Sequence, residues 1–236
     1  MRAKITKNPP SCVLVAGFEA FGDDPSGLGL NPSALAALAL HGLQIEGYTV
    51  QAAVLPCVFG QSVTALKALI KKHRPALVLC VGQAGGRAGF SIERVAINLD
   101  DAALPDNAGR VLRAVPVVAH GPAAYFSTLP IDDMLAALQR AGLPCELSSS
   151  AGHFVCNHVF YALMHSLKTT RRKTAFTETP HRVLGGFVHV PYLPAQAASS
   201  GAPSMDLPHI TQGLRIALRT AIQQLPTQNT INTIAA

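Results

Sequence analysis

The chain has no tryptophan, few charged residues and no long apolar run. Only 14% of its 236 residues are charged and 49% are apolar, so the chain can form a large core and carries too few charges for disorder. No apolar stretch approaches the roughly 20 residues of a membrane helix, so no membrane partner is expected. Pro9 and Pro10 precede the short apolar run 12–18, which argues against a signal peptide.

The cysteines also lack a pattern typical of a metal site or a disulfide framework. They stand at 12, 57, 80, 145 and 156, odd in number and without CxxC spacing. We therefore expect no metal and no other cofactor, and unpaired thiols indicate the cytoplasm. Cys12 and Cys80 lie in apolar, strand-like runs, which is typical of core residues.

The net charge of +6 is compatible with a nucleic-acid partner. However, the clearest basic run, KTTRRK at 168–173, has no interleaved aromatic residues. A solvated surface loop is therefore the preferred interpretation, and no nucleic acid is expected. The alternative is a non-catalytic binding module that uses this loop on an acidic partner.

Short apolar runs alternate with amphipathic segments along the chain. Strands are predicted at 12–18, 48–56, 76–82, 93–99, 145–150 and 182–194, and helices at 33–43, 60–75, 130–141, 156–167 and 207–225. This order predicts one α/β domain over 12–225, an α/β/α sandwich around a mostly parallel twisted sheet. The ends, 1–11 and 226–236, are expected to be flexible, and 168–182 to be a surface insertion.

Ligands of open α/β sheets bind beyond the carboxyl ends of the strands. Four polar or glycine-rich segments fall at such ends: 17–33, 82–93, 150–157 and 189–194. The third leads into GHFVCNHVF (152–160), which places Cys156 at a predicted helix start. Unpaired N–H groups and the helix dipole favour a thiolate there and could hold an oxyanion. The alternative is that Cys156 packs as a small apolar residue.

A cysteine nucleophile needs a base, and His189 is the best-placed histidine. It lies near the end of a predicted strand, where it should reach the same edge of the sheet as Cys156. His158 is two residues beyond the cysteine and should point away from it on a helix. His153 is close but in the loop. A hydrogen-bonded core position is the alternative for His189.

The base is usually oriented by an acid or an amide. Glu93, after the glycine-rich turn GQAGGR, is one candidate, and a surface pair with Arg94 is its alternative. Weaker candidates are Asp100, Asp101 and Asp106. GQAGGR lacks the spacing of a phosphate-binding loop.

Four motifs, in order, closely resemble those of the pyrrolidone-carboxylate peptidases, also called pyroglutamyl peptidase I. They are GFEAFG followed by NPS, VGQAGGR with ERVAINLDDAALPDNAG, AGHFVCNHVFYALMH, and GGFVHVPYLP. The resemblance runs from about Cys12 to Gln224. It implies an α/β/α cysteine peptidase that removes an N-terminal pyroglutamyl residue from peptides without a metal or cofactor. It also implies a homodimer or homotetramer.

The resemblance assigns roles to individual residues. Cys156 looks like the nucleophile, His189 like the base and Glu93 like the residue that orients it. Residues similar to the family's substrate-binding groups are Phe18, Phe21, Asn31, the backbone of Gln83, Arg87, Phe154 and Val155. Phe18 and Phe21 would flank the lactam ring, although two phenylalanines at this spacing are also typical of a core. Arg87 resembles the arginine near the oxyanion.

The chain departs from the family pattern at three places. Extra residues, SGLGL, stand at 26–30, and His153 stands where the family typically has a small hydroxyl residue. The apparent insertion 168–182 lengthens the spacing between Cys156 and His189. The first two departures leave open a related cysteine amidase with altered acyl specificity.

Overall fold

Strands and helices alternate along the chain and build a sheet that is covered on both faces. The computed structural model describes residues 11–22, 27, 29–173 and 183–225, with the side chains of 170–173 excepted. Its strands are β1 (Cys12–Phe18), β2 (Gln44–Ile45), β3 (Tyr48–Leu55), β4 (Leu77–Gln83), β5 (Phe90–Glu93), β6 (Val95–Ile97), β7 (Ala124–Phe126), β8 (Cys145–Ser148) and β9 (Leu184–Val190). Its helices are α1 (Pro32–Ala39), α2 (Gln61–His73), α3 (Ile131–Arg140), α4 (Val155–Lys173), α5 (Pro194–Ala197) and α6 (Leu207–Ile222).

The main sheet has the strand order β2-β3-β1-β4-β9-β5-β8. The central strands β3, β1, β4 and β9 are parallel, whereas β5 runs antiparallel to β9 and parallel to β8. β2 adds an antiparallel edge, and β6 and β7 form a separate ribbon. The prediction of a mostly parallel α/β fold in one domain is confirmed.

Two apolar clusters fill the space on either side of the sheet. The first packs α1, α3 and α6 on one face, and the second packs α2 and α4 on the other. β4 alternates between them, since Leu79 and Val81 belong to the first cluster and Val78 and Cys80 to the second. A strand buried on both faces is apolar throughout, which is why CVLVAGF at 12–18 is a continuous apolar run.

The predicted strand 93–99 is wrong as a single element, because the chain changes sheet at Arg94. The N–H of Arg94 donates to the carbonyl oxygen of Ser148 in the main sheet, while its own carbonyl accepts from Ser127 N–H next to the ribbon. β5 therefore ends at Glu93 and β6 begins at Val95. The sequence analysis missed β2, β7 and α5, all of four residues or fewer.

Several predicted segments fall partly or wholly outside the described residues. The run 168–173, interpreted as a loop, instead continues α4. The rest of the predicted insertion, 174–182, lies outside the described residues, as do 23–26, 28, 1–10 and 226–236. Among the helices that the structure describes, none combines the length and the apolar character needed to cross a membrane.

Candidate active site

Cys156 is the second residue of α4 and lies against the end of β4. A side-chain carbon added at Gly82 would come within 2.8 Å of both the Cys156 Sγ atom and the ring of Phe187. The thiol therefore occupies space that only a glycine leaves open. Gly82 pairs with His189 across the parallel strands β4 and β9. The structure thus brings Cys156 and His189 to the same edge of the sheet, as the sequence analysis expected.

His189 is buried and bound to a buried carboxylate. Its Nδ1 atom lies 2.8 Å from the Oε1 atom of Glu93, whose side chain is fully buried. Because β5 and β9 are antiparallel, with Glu93 opposite Phe187 and Ser91 opposite His189, these side chains share one face of the sheet. With Nδ1–H donating to Glu93, the Nε2 atom of His189 keeps its lone pair and can act as a base.

Glu93 has a second partner, Arg87. The Nη1 atom of Arg87 donates to the same Oε1 atom at 2.8 Å, and Nη2 donates to the carbonyl oxygen of Ser150 at 3.1 Å. The alternative interpretation of Glu93 as a surface partner of Arg94 is therefore wrong. The Arg87 side chain, 29% exposed, links the carboxylate to the loop that precedes α4. The other carboxylate oxygen, Oε2, has no hydrogen-bond partner among the described residues.

Burial has the largest effect on the pKa values of Cys156 and His189. Burial raises the pKa of Cys156 well above its ordinary value, the charge of Glu93 raises it further, and Arg87 opposes both. Burial also lowers the pKa of His189, against the opposing effect of Glu93. Both shifts favour a neutral thiol and a neutral imidazole in the resting site. Burial thus opposes the thiolate that the helix start was expected to favour.

This protonation state predicts the pH profile of alkylation. The rate of Cys156 modification by iodoacetamide should rise continuously from pH 7 to pH 9 without a plateau, since a thiol pKa above 9.0 leaves the thiolate fraction growing throughout that range. Mass spectrometry of the peptide that carries Cys156 measures the rate. The control is the urea-unfolded protein, in which the same cysteine should follow a free thiol with a pKa of about 8.5. A flat rate above pH 7 in the folded protein would contradict the neutral resting thiol.

The aspartates that were considered in place of Glu93 have other partners. Asp100 lies 2.8 Å from the Nδ1 atom of His158. Asp101 and Asp106 accept backbone N–H groups. His158 bonds Asp100 and the Gly60 N–H. Its ring is thus directed to these groups and not to Cys156, as its spacing on the helix predicted. No group of three metal-ligating side chains occurs within the described ranges.

Half-buried aromatic rings stand beside the start of α4. The half-buried rings of Phe21 and Phe154 lie 5.6 Å apart, and the fully buried Phe59 packs edge-on against Phe154 at 5.4 Å. The sequence analysis missed Phe59, although its place after β3, at the same sheet edge, could have indicated it. Phe18 is buried in the core against Phe187, 6.1 Å away, and Val155 is fully buried. A direct contact between Phe18 and a bound ring stays a prediction.

The remaining predicted binding residues hold the loops around the site. Asn31 caps α1, since its Oδ1 atom accepts the Ser33 N–H at 2.9 Å, and its amide donates to the Glu19 carbonyl oxygen at 2.9 Å. Gln83 is the last residue of β4, and its Oε1 atom accepts from Gln196 at 2.9 Å. The lactam contacts expected of Asn31 and Gln83 stay predictions.

One premise about the site is wrong. The segment 150–157 was expected to leave a strand at the same edge as the other three, but β8 runs antiparallel to β9, with β5 between them. After β8 the chain leads to the site, and two side chains hold this part of the chain in place. Arg87 holds the Ser150 carbonyl, and Asn157, on the first turn of α4, bonds the backbone at Ile97 and Leu99. The side chain of His153 is exposed, while its carbonyl oxygen accepts the Asp101 N–H.

The sequence and the fold were compared with those of known proteins. Residues 11–224 match the model of the family described as pyroglutamyl peptidase. A pyrrolidone-carboxylate peptidase of Cupriavidus taiwanensis is 51% identical over 211 residues, which cover 89% of this chain and 92% of that protein. The crystal structure of pyroglutamyl peptidase I from Bacillus amyloliquefaciens aligns with a TM-score of 0.82 at 40% identity, over 91% of this chain and 98% of that one. A mutant pyrrolidone carboxyl peptidase from Pyrococcus furiosus aligns with a TM-score of 0.82 at 35% identity, over 91% and 99% of the two chains.

Proposed function

Because the chain belongs to the pyroglutamyl peptidase family, a family of cysteine peptidases, we propose that it cleaves N-terminal pyroglutamyl residues through a Cys156-His189-Glu93 triad and a thioester intermediate. The observation that carries this mechanism is the bond between the Glu93 carboxylate and the His189 Nδ1 atom, 2.8 Å long, at the sheet edge where Cys156 lies. Cys156, His189 and Glu93 thus supply the nucleophile, the base and the orienting acid that this type of catalysis requires.

The first half-reaction forms the acyl-enzyme. The Nε2 atom of His189 takes the proton of Cys156 while Sγ bonds to the pyroglutamyl carbonyl carbon, and the carbonyl electron pair moves to oxygen. A neutral thiol beside a neutral imidazole suits this coupled transfer. N–H groups at the start of α4 would stabilise the oxyanion, at about 3–4 kcal/mol per donor. The carbon–nitrogen bond then breaks, and His189 gives its proton to the leaving amine.

The second half-reaction releases the acid. Water gives a proton to His189 and attacks the thioester carbonyl carbon, the carbon–sulfur bond breaks, and His189 returns the proton to the sulfur of Cys156. In both halves, Glu93 holds the imidazole ring in one tautomer and stabilises the imidazolium that forms transiently.

The aromatic rings beside Cys156 explain the acyl specificity of the proposal. Pyroglutamate is a neutral lactam, whereas glutamine at the same position carries an ammonium group. Phe21 and Phe154, backed by the buried Phe59, offer no charged partner for that group, so binding it would cost its desolvation. A neutral ring has no such cost and can pack on the phenylalanine faces.

Specificity gives the test of the proposal. The protein should release a fluorescent amine from a pyroglutamyl amide at least about 10³-fold faster, as kcat/KM, than from the matching glutaminyl amide, because unpaired burial of a charge costs several kcal/mol. An N-acetyl-alanyl amide serves as the control for the alternative, a related amidase of altered acyl specificity. Comparable rates on the pyroglutamyl and glutaminyl amides would contradict the lactam pocket. A preference for the acetylated amide would favour the amidase.

We propose a cytoplasmic enzyme, since all five cysteines are unpaired in the structure. A homodimer or homotetramer stays a prediction that the family resemblance supports.

A further inference from the structure

Gln196 connects three chain segments beside the proposed site. Its side chain is buried, with 1% of the residue exposed, in the short helix α5. Its Oε1 atom accepts the Leu193 N–H at 3.0 Å, while Nε2 donates to the Leu30 carbonyl oxygen at 3.2 Å and to the Gln83 Oε1 atom at 2.9 Å. Because one N–H donor already occupies Oε1, the amide orientation is determined, and both hydrogens of Nε2 are used.

These bonds lie on the face of the sheet opposite Cys156. Side chains alternate along a strand, and Gly82 faces the thiol, so the side chain of Gln83 points to the other face. Leu193 belongs to the apolar cluster on that other face, and Leu30 packs against it. Gln196 therefore affects the site from the opposite face of the sheet, through the backbone segments that it bonds. It does not contact Cys156, His189 or Glu93.

The three segments that it joins lie at the carboxyl ends of β1, β4 and β9, which are neighbouring parallel strands. Leu30 immediately precedes Asn31, the cap of α1, and Gln83 immediately follows Gly82, the residue against the thiol. Asn31 also bonds the Glu19 carbonyl oxygen just beyond the end of β1, the strand beside β4, so both segments lie at the sheet edge where Gly82 contacts the thiol. Gln196, which bonds Leu30 and Gln83 together, therefore fixes the spacing of these two segments at that edge.

We propose that Gln196 is a positioning residue for the acyl side of the reaction: it holds the backbone at 30–31 and at Gln83 at the spacing that a five-membered lactam requires. The proposal rests on the proposed function, since it takes the pyroglutamyl ring as the group bound there. It predicts an effect on binding of the ring and none on the chemistry of Cys156. Buried amides that lose their partners cost stability as well, so the test must separate ring binding from folding.

The experiment compares Gln196→Leu with the wild-type protein and with Gln212→Leu, a matched change at an exposed glutamine of α6. In Gln196→Leu, KM for a pyroglutamyl amide should rise at least about tenfold, with kcat lowered less than about threefold. The inhibition constant of 2-pyrrolidone, the lactam ring alone, should rise in parallel. The pH profile of Cys156 alkylation should stay as in the wild type, and Gln212→Leu should leave every readout unchanged.

Two results would overturn the proposal: an unchanged KM and inhibition constant, or a fall in kcat with an altered alkylation profile. If Gln196→Leu does not fold, Gln83→Met removes the same hydrogen bond from its other end and should raise the same two constants, by a smaller factor. Unchanged constants in that variant would equally overturn it. If the wild type does not cleave the pyroglutamyl amide, the proposed function fails, independently of Gln196.

Discussion

Replacing Cys156 with alanine should lower kcat/KM for a pyroglutamyl amide by at least about 10⁴-fold, since removal of a catalytic nucleophile leaves only the contribution of binding and of the oxyanion donors. Release of a fluorescent amine under reducing conditions measures the loss. Alkylation should not lower the residual rate further, because the catalytic thiol is gone.

The matched control is Cys145→Ala. Cys145 is a half-buried thiol on β8, and its sulfur bonds only to the Leu135 carbonyl oxygen among the described groups, at 3.7 Å. This variant should keep kcat/KM within about twofold. Both variants should unfold at similar temperatures, since each removes one small side chain. Full turnover by Cys156→Ala would show that Cys156 is not the nucleophile.

Replacing Glu93 with glutamine should lower kcat by about 10³–10⁴-fold with a small change in KM. A carboxylate accepts the Nδ1–H of His189 and stabilises the imidazolium, whereas an amide is neutral and can also donate to Nδ1, which selects the wrong tautomer. The same change deprives the Arg87 guanidinium of its charged partner, 2.8 Å away. Steady-state kinetics on the pyroglutamyl amide measures the effect.

The pH profile distinguishes this role from a general loss of structure. The acid limb of kcat/KM reports protonation of His189, because only the neutral imidazole acts as a base. Burial places the pKa of His189 below 6.5, and Glu93 acts in the opposite direction, so loss of Glu93 should shift the limb to lower pH. Glu146→Gln is the control, since Glu146 lies on the neighbouring strand and bonds Ser91 rather than His189. A limb that moves to higher pH would contradict the assigned role.

The amino-acid sequence predicted the order of elements and most of their positions. β1 coincides with the predicted strand at 12–18, and β3, β4, α2, α3 and α6 each lie within two or three residues of their predicted ends. The cause is local: apolar runs, helical periodicity, prolines and glycines act over a few neighbouring residues. The sequence also indicated that Cys156 and His189 lie at one sheet edge, although β8, the strand before α4, runs antiparallel to β9 and does not end at that edge.

Strand direction at the far side of the sheet could not be predicted in this way. β5 and β8 run against β9, and this reversal brings Glu93 opposite Phe187, onto the face that carries His189. Direction depends on long-range pairing, which periodicity does not encode. The partner of Glu93 was misjudged for the same reason: Arg94 is adjacent in sequence, but Arg87 is adjacent in space.

By itself, then, the sequence determined the α/β fold, the family and the residue types of the candidate triad. The tertiary structure alone decided the state and the setting of those residues. Burial raises the pKa of the Cys156 thiol, Gly82 leaves room for it, and Gln196, which carried no sequence signal, joins three segments on the opposite face of the sheet. These properties arise from desolvation and close packing, which depend on everything that surrounds a group and not on its neighbours along the chain.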